Sequence, residues 1–151
     1  MYKYIFFFFS SLCYAIQPSD FIGNYELIHD VSDHKCENSF EILTSTECEN
    51  GLSVENPLLS LYYSPVCNIN GFSYFYKRNG DHGSSWRITS KSKLIGNLLS
   101  KSEKSIEYYY IFPTAHYQIN ESWELNEDNL VYKLTSVHGL TSCSYKKTKS
   151  I

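Results

Sequence analysis

Residues 81–85 read Asp-His-Gly-Ser-Ser, placing an acid, a base and two hydroxyls within five positions. These are the residue types of nucleophilic catalysis. Neighbouring loop positions do not by themselves bring a base to a nucleophile, and the chain has no Gly-x-Ser-x-Gly elbow. Asn79-Gly80 and Gly83 mark the stretch as a loop instead, so no catalytic residue is assigned. His29, Asp30, Asp33 and His34 gather ligand types that can hold a cation, but solvated loop residues explain them as well. His82, His116 and His138 complete the histidines without a metal-ligand spacing, and no Cys-x-x-Cys occurs. Phosphate-binding and dinucleotide fingerprints are absent too. The expectation is a protein that is not an enzyme and has neither metal nor cofactor.

The cysteines carry more information. Met1, Tyr2 and Lys3 form a weakly basic start; an apolar run follows from Ile5 through Phe9 to Leu12, and small Ala15 suits the position before a peptidase cut. This order predicts a signal peptide over 1–15 and a single β domain over 16–151. The run is too short to span a bilayer, and no second long apolar stretch follows, so no transmembrane segment is expected in the mature chain. Cys13 leaves with the signal; Ser10 stands where a lipoprotein carries an apolar residue, which argues against lipid anchoring. Cys36, Cys48, Cys67 and Cys143 then meet oxidising conditions, and the expected location is secreted or periplasmic. Without Lys3 the chain holds 12 Lys plus Arg against 16 Asp plus Glu, a formal −4. That balance gives no electrostatic reason to expect a nucleic-acid partner. The closing Lys146, Lys147 and Lys149 read as a solvated end.

The elements that must position these residues are strands. The mature sequence is rich in Tyr, Phe, Ser, Thr and Ile and poor in Ala. Alternating runs predict strands near Gly23–His29, Ser39–Thr44, Gly51–Glu55, Leu59–Tyr63, Phe72–Lys77 and Ser85–Thr89. Others follow near Lys93–Leu99, Ser105–Phe112, His116–Asn126, Asn129–Ser136 and Ser142–Lys147. Lys91–Ser100 also has helical spacing in Leu94, Ile95, Leu98 and Leu99, but so short a lone helix is marginal. The clearest hairpin turns at Glu127-Asp128 and sets Leu125 opposite Leu130 and Trp123 opposite Tyr132. A second is expected to join Phe72, Tyr74 and Tyr76 to Trp86 and Ile88 around Asn79-Gly80. Successive hairpins with one apolar face predict an all-β, antiparallel up-and-down barrel of 8–10 strands, with a β-sandwich as the alternative.

Four cysteines allow three connectivities, and sequence alone does not select one. Strand geometry favours Cys48–Cys67, across adjacent strands about a turn near Pro57, and Cys36–Cys143, where a last strand returns beside the first.

Gly23-Asn24-Tyr25-Glu26-Leu27 after the signal, the Trp123–Tyr132 hairpin and Cys143 in the closing strand give the chain a layout that resembles the calycin group, the lipocalins and related small secreted barrels. Tyr25 stands where the lipocalin Gly-x-Trp motif has Trp. Cys48-Glu49-Asn50-Gly51-Leu52 followed by Cys67-Asn68-Ile69-Asn70 is also similar to short secreted proteins of bacteria. The resemblance implies a fold and leaves function open. Aromatic density at Tyr62-Tyr63, Phe72–Tyr76 and Tyr108–Phe112 adds the functional expectation, a small apolar or aromatic ligand held inside. Its wall would be Tyr74, Trp86, Tyr110, Trp123 and Tyr132. The alternative is a filled core in a module that acts through its loops or outer face. Asn120-Glu121-Ser122 matches the N-glycosylation pattern, which matters only in a eukaryotic secretory pathway.

Overall fold

The structure, a computed structural model, describes residues 15–30, 36–55, 65–79, 83–137 and 139–148. After a short 3-10 turn (Pro18–Phe21), the strands are β1 (Gly23–Asp30), β2 (Ser39–Thr44), β3 (Leu52–Glu55), β4 (Phe72–Asn79) and β5 (Ser84–Ile95). β6 (Leu98–Tyr109), β7 (Phe112–Asn126), β8 (Asn129–Ser136) and β9 (Gly139–Thr148) complete them. All nine pair antiparallel in one sheet, ordered β3-β2-β1-β9-β8-β7-β6-β5-β4. The first and last strands therefore lie side by side, with Asn24 opposite Thr148 and Leu27 opposite Tyr145. β3 and β4 are the sheet's edges. Among the described residues, one isolated bridge, Leu52 to Val66, links β3 to the segment before β4, and no strand ladder closes the sheet there.

The disulfides tie the same two places. Cys36 pairs with Cys143 and Cys48 with Cys67, at Cα separations of 6.0 and 5.9 Å, which are the pairings the strand geometry favours. The first loops 107 residues and the second 19. In the chain-entropy account, loops of these lengths restrict the unfolded chain by about 5 and about 3 kcal/mol.

The Trp123 hairpin forms with the expected register, Trp123 opposite Tyr132 and Leu125 opposite Leu130, turning at Glu127 with φ +54°. The expected strand over Lys93–Leu99 is instead the tip of the β5–β6 hairpin. Gly96 takes φ +58°, so Ile95 faces Leu98 and Leu94 faces Leu99. The alternative helix over Lys91–Ser100 does not form, because that stretch is the end of β5, the turn and the start of β6. The run expected as Leu59–Tyr63 lies outside the described residues, as do the signal stretch through Tyr14, Asp33, His34, Asp81, His82, His138 and Lys149.

The apolar core gathers where β1, β2, β8 and β9 meet the hairpin ends of β6 and β7. Phe21, Tyr25, Phe40, Leu99, Trp123, Leu125, Leu130, Tyr132 and Tyr145 are buried in one cluster. Tyr25 stacks on Phe40 at 5.2 Å, Tyr145 meets Phe40 edge-on at 4.6 Å, and the Tyr25 hydroxyl donates to the Phe21 carbonyl at 2.7 Å. That bond satisfies a phenol which burial holds neutral well above the usual tyrosine range.

Candidate functional site

Strand alternation divides β4–β8 into two unlike faces. In β4, Ser73, Phe75 and Lys77 lie opposite Ser90, Ile88 and Trp86 on the inner side. Phe72, Tyr74 and Tyr76 therefore point outward and are 53, 69 and 71 % exposed. The expected pairing of Tyr74 and Tyr76 with Trp86 and Ile88 is thus off by one residue, and in a period-2 element one residue exchanges the faces. The result is three rings in a row on an edge strand, spaced roughly 6.8 Å apart.

Cations dominate the rest of that outer face. Arg87, Lys91, Lys93, Lys104 and Lys133 are exposed and alternate with buried neighbours on β5, β6 and β8. Among the described residues, Glu124 is the one carboxylate on the same face of β4–β8. The Lys91 ammonium lies over the Phe72 ring, 5.2 Å from its centroid, which joins the cationic field to the aromatic row. Between the lysines the side chains are short. Lys93 faces Ser100, Ser100 faces Ser122, and Ser122 faces Lys133. Short hydroxyls flanked by long lysines leave a groove of about 460 Å³, which Asn120 and Thr135 also line.

The inner face behind this groove carries a buried charge layer. Lys101, Glu103 and Glu121 are 2, 1 and 5 % exposed. The Lys101 ammonium is 3.0 Å from Glu103 Oε2 and 3.6 Å from Glu121 Oε2, and the Tyr132 hydroxyl donates to Glu121 Oε1 at 3.1 Å. Burial pushes the Glu121 carboxyl above the usual carboxylate range, against the opposing pull of Lys101 and the Tyr132 hydrogen bond. Ser90 and Ser92 sit opposite Glu103 and Lys101 on β5. Both hydroxyls are buried and have no hydrogen-bond partner among the described residues.

Of the five residues expected to wall an interior ligand site, Trp123 and Tyr132 meet and the other three lie apart from them. Tyr74 is outward, as above. Tyr110 is 69 % exposed because it is a turn residue, at φ +55° between β6 and β7, with its amide donating to the Gly83 carbonyl at 3.0 Å. Trp86 is half-buried against Tyr117 at 5.6 Å. Trp123 and Tyr132 are buried in the apolar core, their rings 5.7 Å apart. Of the 81–85 stretch, Ser84 and Ser85 begin β5, half-buried and buried. His29 and His116 are exposed on β1 and β7. Among the described residues no three His, Cys, Asp or Glu side chains converge as a metal site. No described helix is long and apolar enough to cross a membrane.

Lys91, Lys93, Lys133 and the buried Lys101–Glu103–Glu121 layer escaped sequence reasoning. Their signal was phase. Glu121 sits two residues before Trp123 on an inward-facing strand position, and the register carries that face to Lys101. The outward lysines follow once the inward set is placed.

Comparison with known proteins finds no matching family model, no matching curated protein and no matching solved structure.

Proposed function

We propose that this chain is an exported module that acts by binding, holding an anionic ligand on the outer face of β4–β8. The observation that carries the reading is the charge imbalance of that face, where the described residues present five exposed cations against the single carboxylate Glu124, on a chain of formal net charge −3. A chain with acids in excess that collects cations on one face creates a local field able to attract and retain anions. The groove among Lys91, Lys93 and Lys133 supplies the concave surface. Export is supported by the signal-like start and by two disulfides, which persist in oxidising compartments. The Leu52–Val66 bridge and the Cys48–Cys67 link support a sheet curled toward barrel closure at the β3–β4 seam.

Retention of the oxidised protein on immobilised heparin, used as a generic polyanion, tests the reading. Wild-type protein binds at low salt and elutes as salt rises, because each lysine contact releases counterions. The variant Lys91→Gln/Lys93→Gln/Lys133→Gln elutes earlier. Flow-through of the wild type at low salt would refute the proposal.

A second reading, a small ligand inside the sheet, is favoured by the two buried serine hydroxyls at Ser90 and Ser92. Their surroundings, Lys101 and Glu103, make such an occupant polar. Native mass spectrometry of freshly purified protein checks it, and a mass equal to that of the bare chain counts against it.

A further inference from the structure

We infer that the ligand is an acidic polysaccharide that lies across the strands, from the β4 aromatic row into the lysine groove; this inference rests on the anion-binding reading above. The register lays out a continuous path. Phe72 faces Lys91, Lys91 faces Ser102, Ser102 faces Asn120, Asn120 faces Thr135, and Thr135 faces Leu140. That row crosses six strands, roughly 24 Å at about 4.8 Å per strand spacing. It is long enough for several linked sugar rings.

Each group along the path matches one part of an acidic sugar chain. At its β4 end the path turns along the strand, where exposed Phe72, Tyr74 and Tyr76, roughly 6.8 Å apart in turn, offer flat apolar faces to the C–H faces of pyranose rings. Lys93 and Lys133 lie three strand spacings apart, so their charge is distributed along a chain and suits anionic groups repeated at intervals. Ser100, Ser102, Ser122, Asn120 and Thr135 between them are donors and acceptors for ring hydroxyls. The apolar contribution distinguishes this surface from a plain cation patch, since adjacent exposed aromatics mark an interaction surface. Single-stranded nucleic acid is the rival polyanion that also stacks on rings. The disulfides favour the glycan over nucleic acid, because they persist in oxidising compartments, apart from the cytosolic and nuclear pools of nucleic acid.

Calorimetric titration of the oxidised chain with four probes decides the matter: polygalacturonate, heparin oligosaccharide, uncharged dextran and a dT15 oligonucleotide. The inference expects both acidic glycans to bind at least tenfold tighter than dT15, and dextran not to bind. Lys91→Gln/Lys93→Gln/Lys133→Gln weakens glycan binding at least tenfold and flattens its salt dependence. Tyr74→Ala/Tyr76→Ala weakens it at least fivefold and leaves the salt dependence unchanged. If dT15 binds as well as the glycans, the polysaccharide assignment fails while the anion-binding face stands. If none of the charged probes binds, both fail. Unaltered glycan affinity in the tyrosine variant overturns the path across β4. The probe comparison needs no variant, so a substitution that disturbs folding does not blunt the test.

Discussion

Replacing Lys101 by methionine isolates the energetics of the buried charge layer. The ammonium lies 3.0 Å from Glu103 and 3.6 Å from Glu121, with all three side chains almost wholly buried. Methionine keeps the volume and the apolar stem but leaves two carboxyl groups on neighbouring strands with that cation removed. Breaking a buried pair from one side costs about 3–5 kcal/mol, because the remaining charge keeps its desolvation penalty. Against a net stability of roughly 5–15 kcal/mol this is a large fraction. For a chain of 151 residues the Tm falls by about 2–4 °C per kcal/mol, hence by about 6–20 °C. The loss must also depend on pH. Glu121 already lies above its ordinary range through burial, and Lys101 is the largest of the influences that oppose the rise, ahead of the Tyr132 hydrogen bond. Without the lysine it moves higher. A folded-state value above the unfolded one gives stability that is complete below about pH 4.3 and is lost as pH rises through the folded value. The deficit relative to wild type is therefore smaller at pH 4 than at pH 8. Guanidinium melts of the oxidised protein, followed by far-UV circular dichroism at both pH values, measure it. Lys101→Met/Glu103→Leu removes both ends of the shorter pair and recovers at least half the loss. A deficit under about 1 kcal/mol, equal deficits at the two pH values, or simple additivity in the double variant would each refute the reasoning.

In otherwise wild-type protein, Glu121→Gln removes a group whose folded-state value is raised, so the decline in stability from pH 5 to pH 8 flattens; an unchanged slope in urea melts across that range speaks against it. Opening Cys36–Cys143 by paired serine substitutions lowers stability by about 5 kcal/mol and opening Cys48–Cys67 by about 3 kcal/mol, an order that chemical denaturation checks directly. Gly96→Ala strains a turn position at φ +58° and costs about 1 kcal/mol, even though open space surrounds the added methyl; a neutral result in thermal melts contradicts it.

The sequence made one class of feature legible and obscured another. The Trp123 hairpin followed from matching apolar phases across a short turn, and both disulfides from strand order, which sets adjacent strands side by side and the last strand beside the first. The β4–β5 register did not follow, because β4 alternates Phe72, Tyr74 and Tyr76 against Ser73, Phe75 and Lys77, so apolarity alone points to the wrong side. What decides it is the partner, since Ile88 and Trp86 sit on the core face and require Phe75 and Lys77 opposite. The Lys93–Leu99 stretch misled for a related reason. Leu94-Ile95 and Leu98-Leu99 are mirror halves about a two-residue turn, and that symmetry resembles one apolar strand or helix until Gly96-Asn97 is taken as the reversal. Lys101, Glu103 and Glu121 looked solvated because charge type usually predicts exposure, whereas here position in phase with Leu99 and Trp123 overrides it. The outer lysine groove became visible only after those inner residues were removed from the surface.

The pairing of β1 with β9 has a consequence for synthesis. Asn24 and Thr148 sit opposite each other at separate ends of the described chain, so the central seam of the sheet joins the earliest strand to the latest. A polypeptide emerging from a ribosome or a translocation pore therefore exposes β1 with one flank empty until nearly every residue has passed through. The hairpins from β4 to β9 are local and can assemble as they appear, but β1 and β2 have to wait for β9 before they join that array. Completion is set by the final strand, so the loop-closure cost of joining the two ends of the described chain falls on the last folding step.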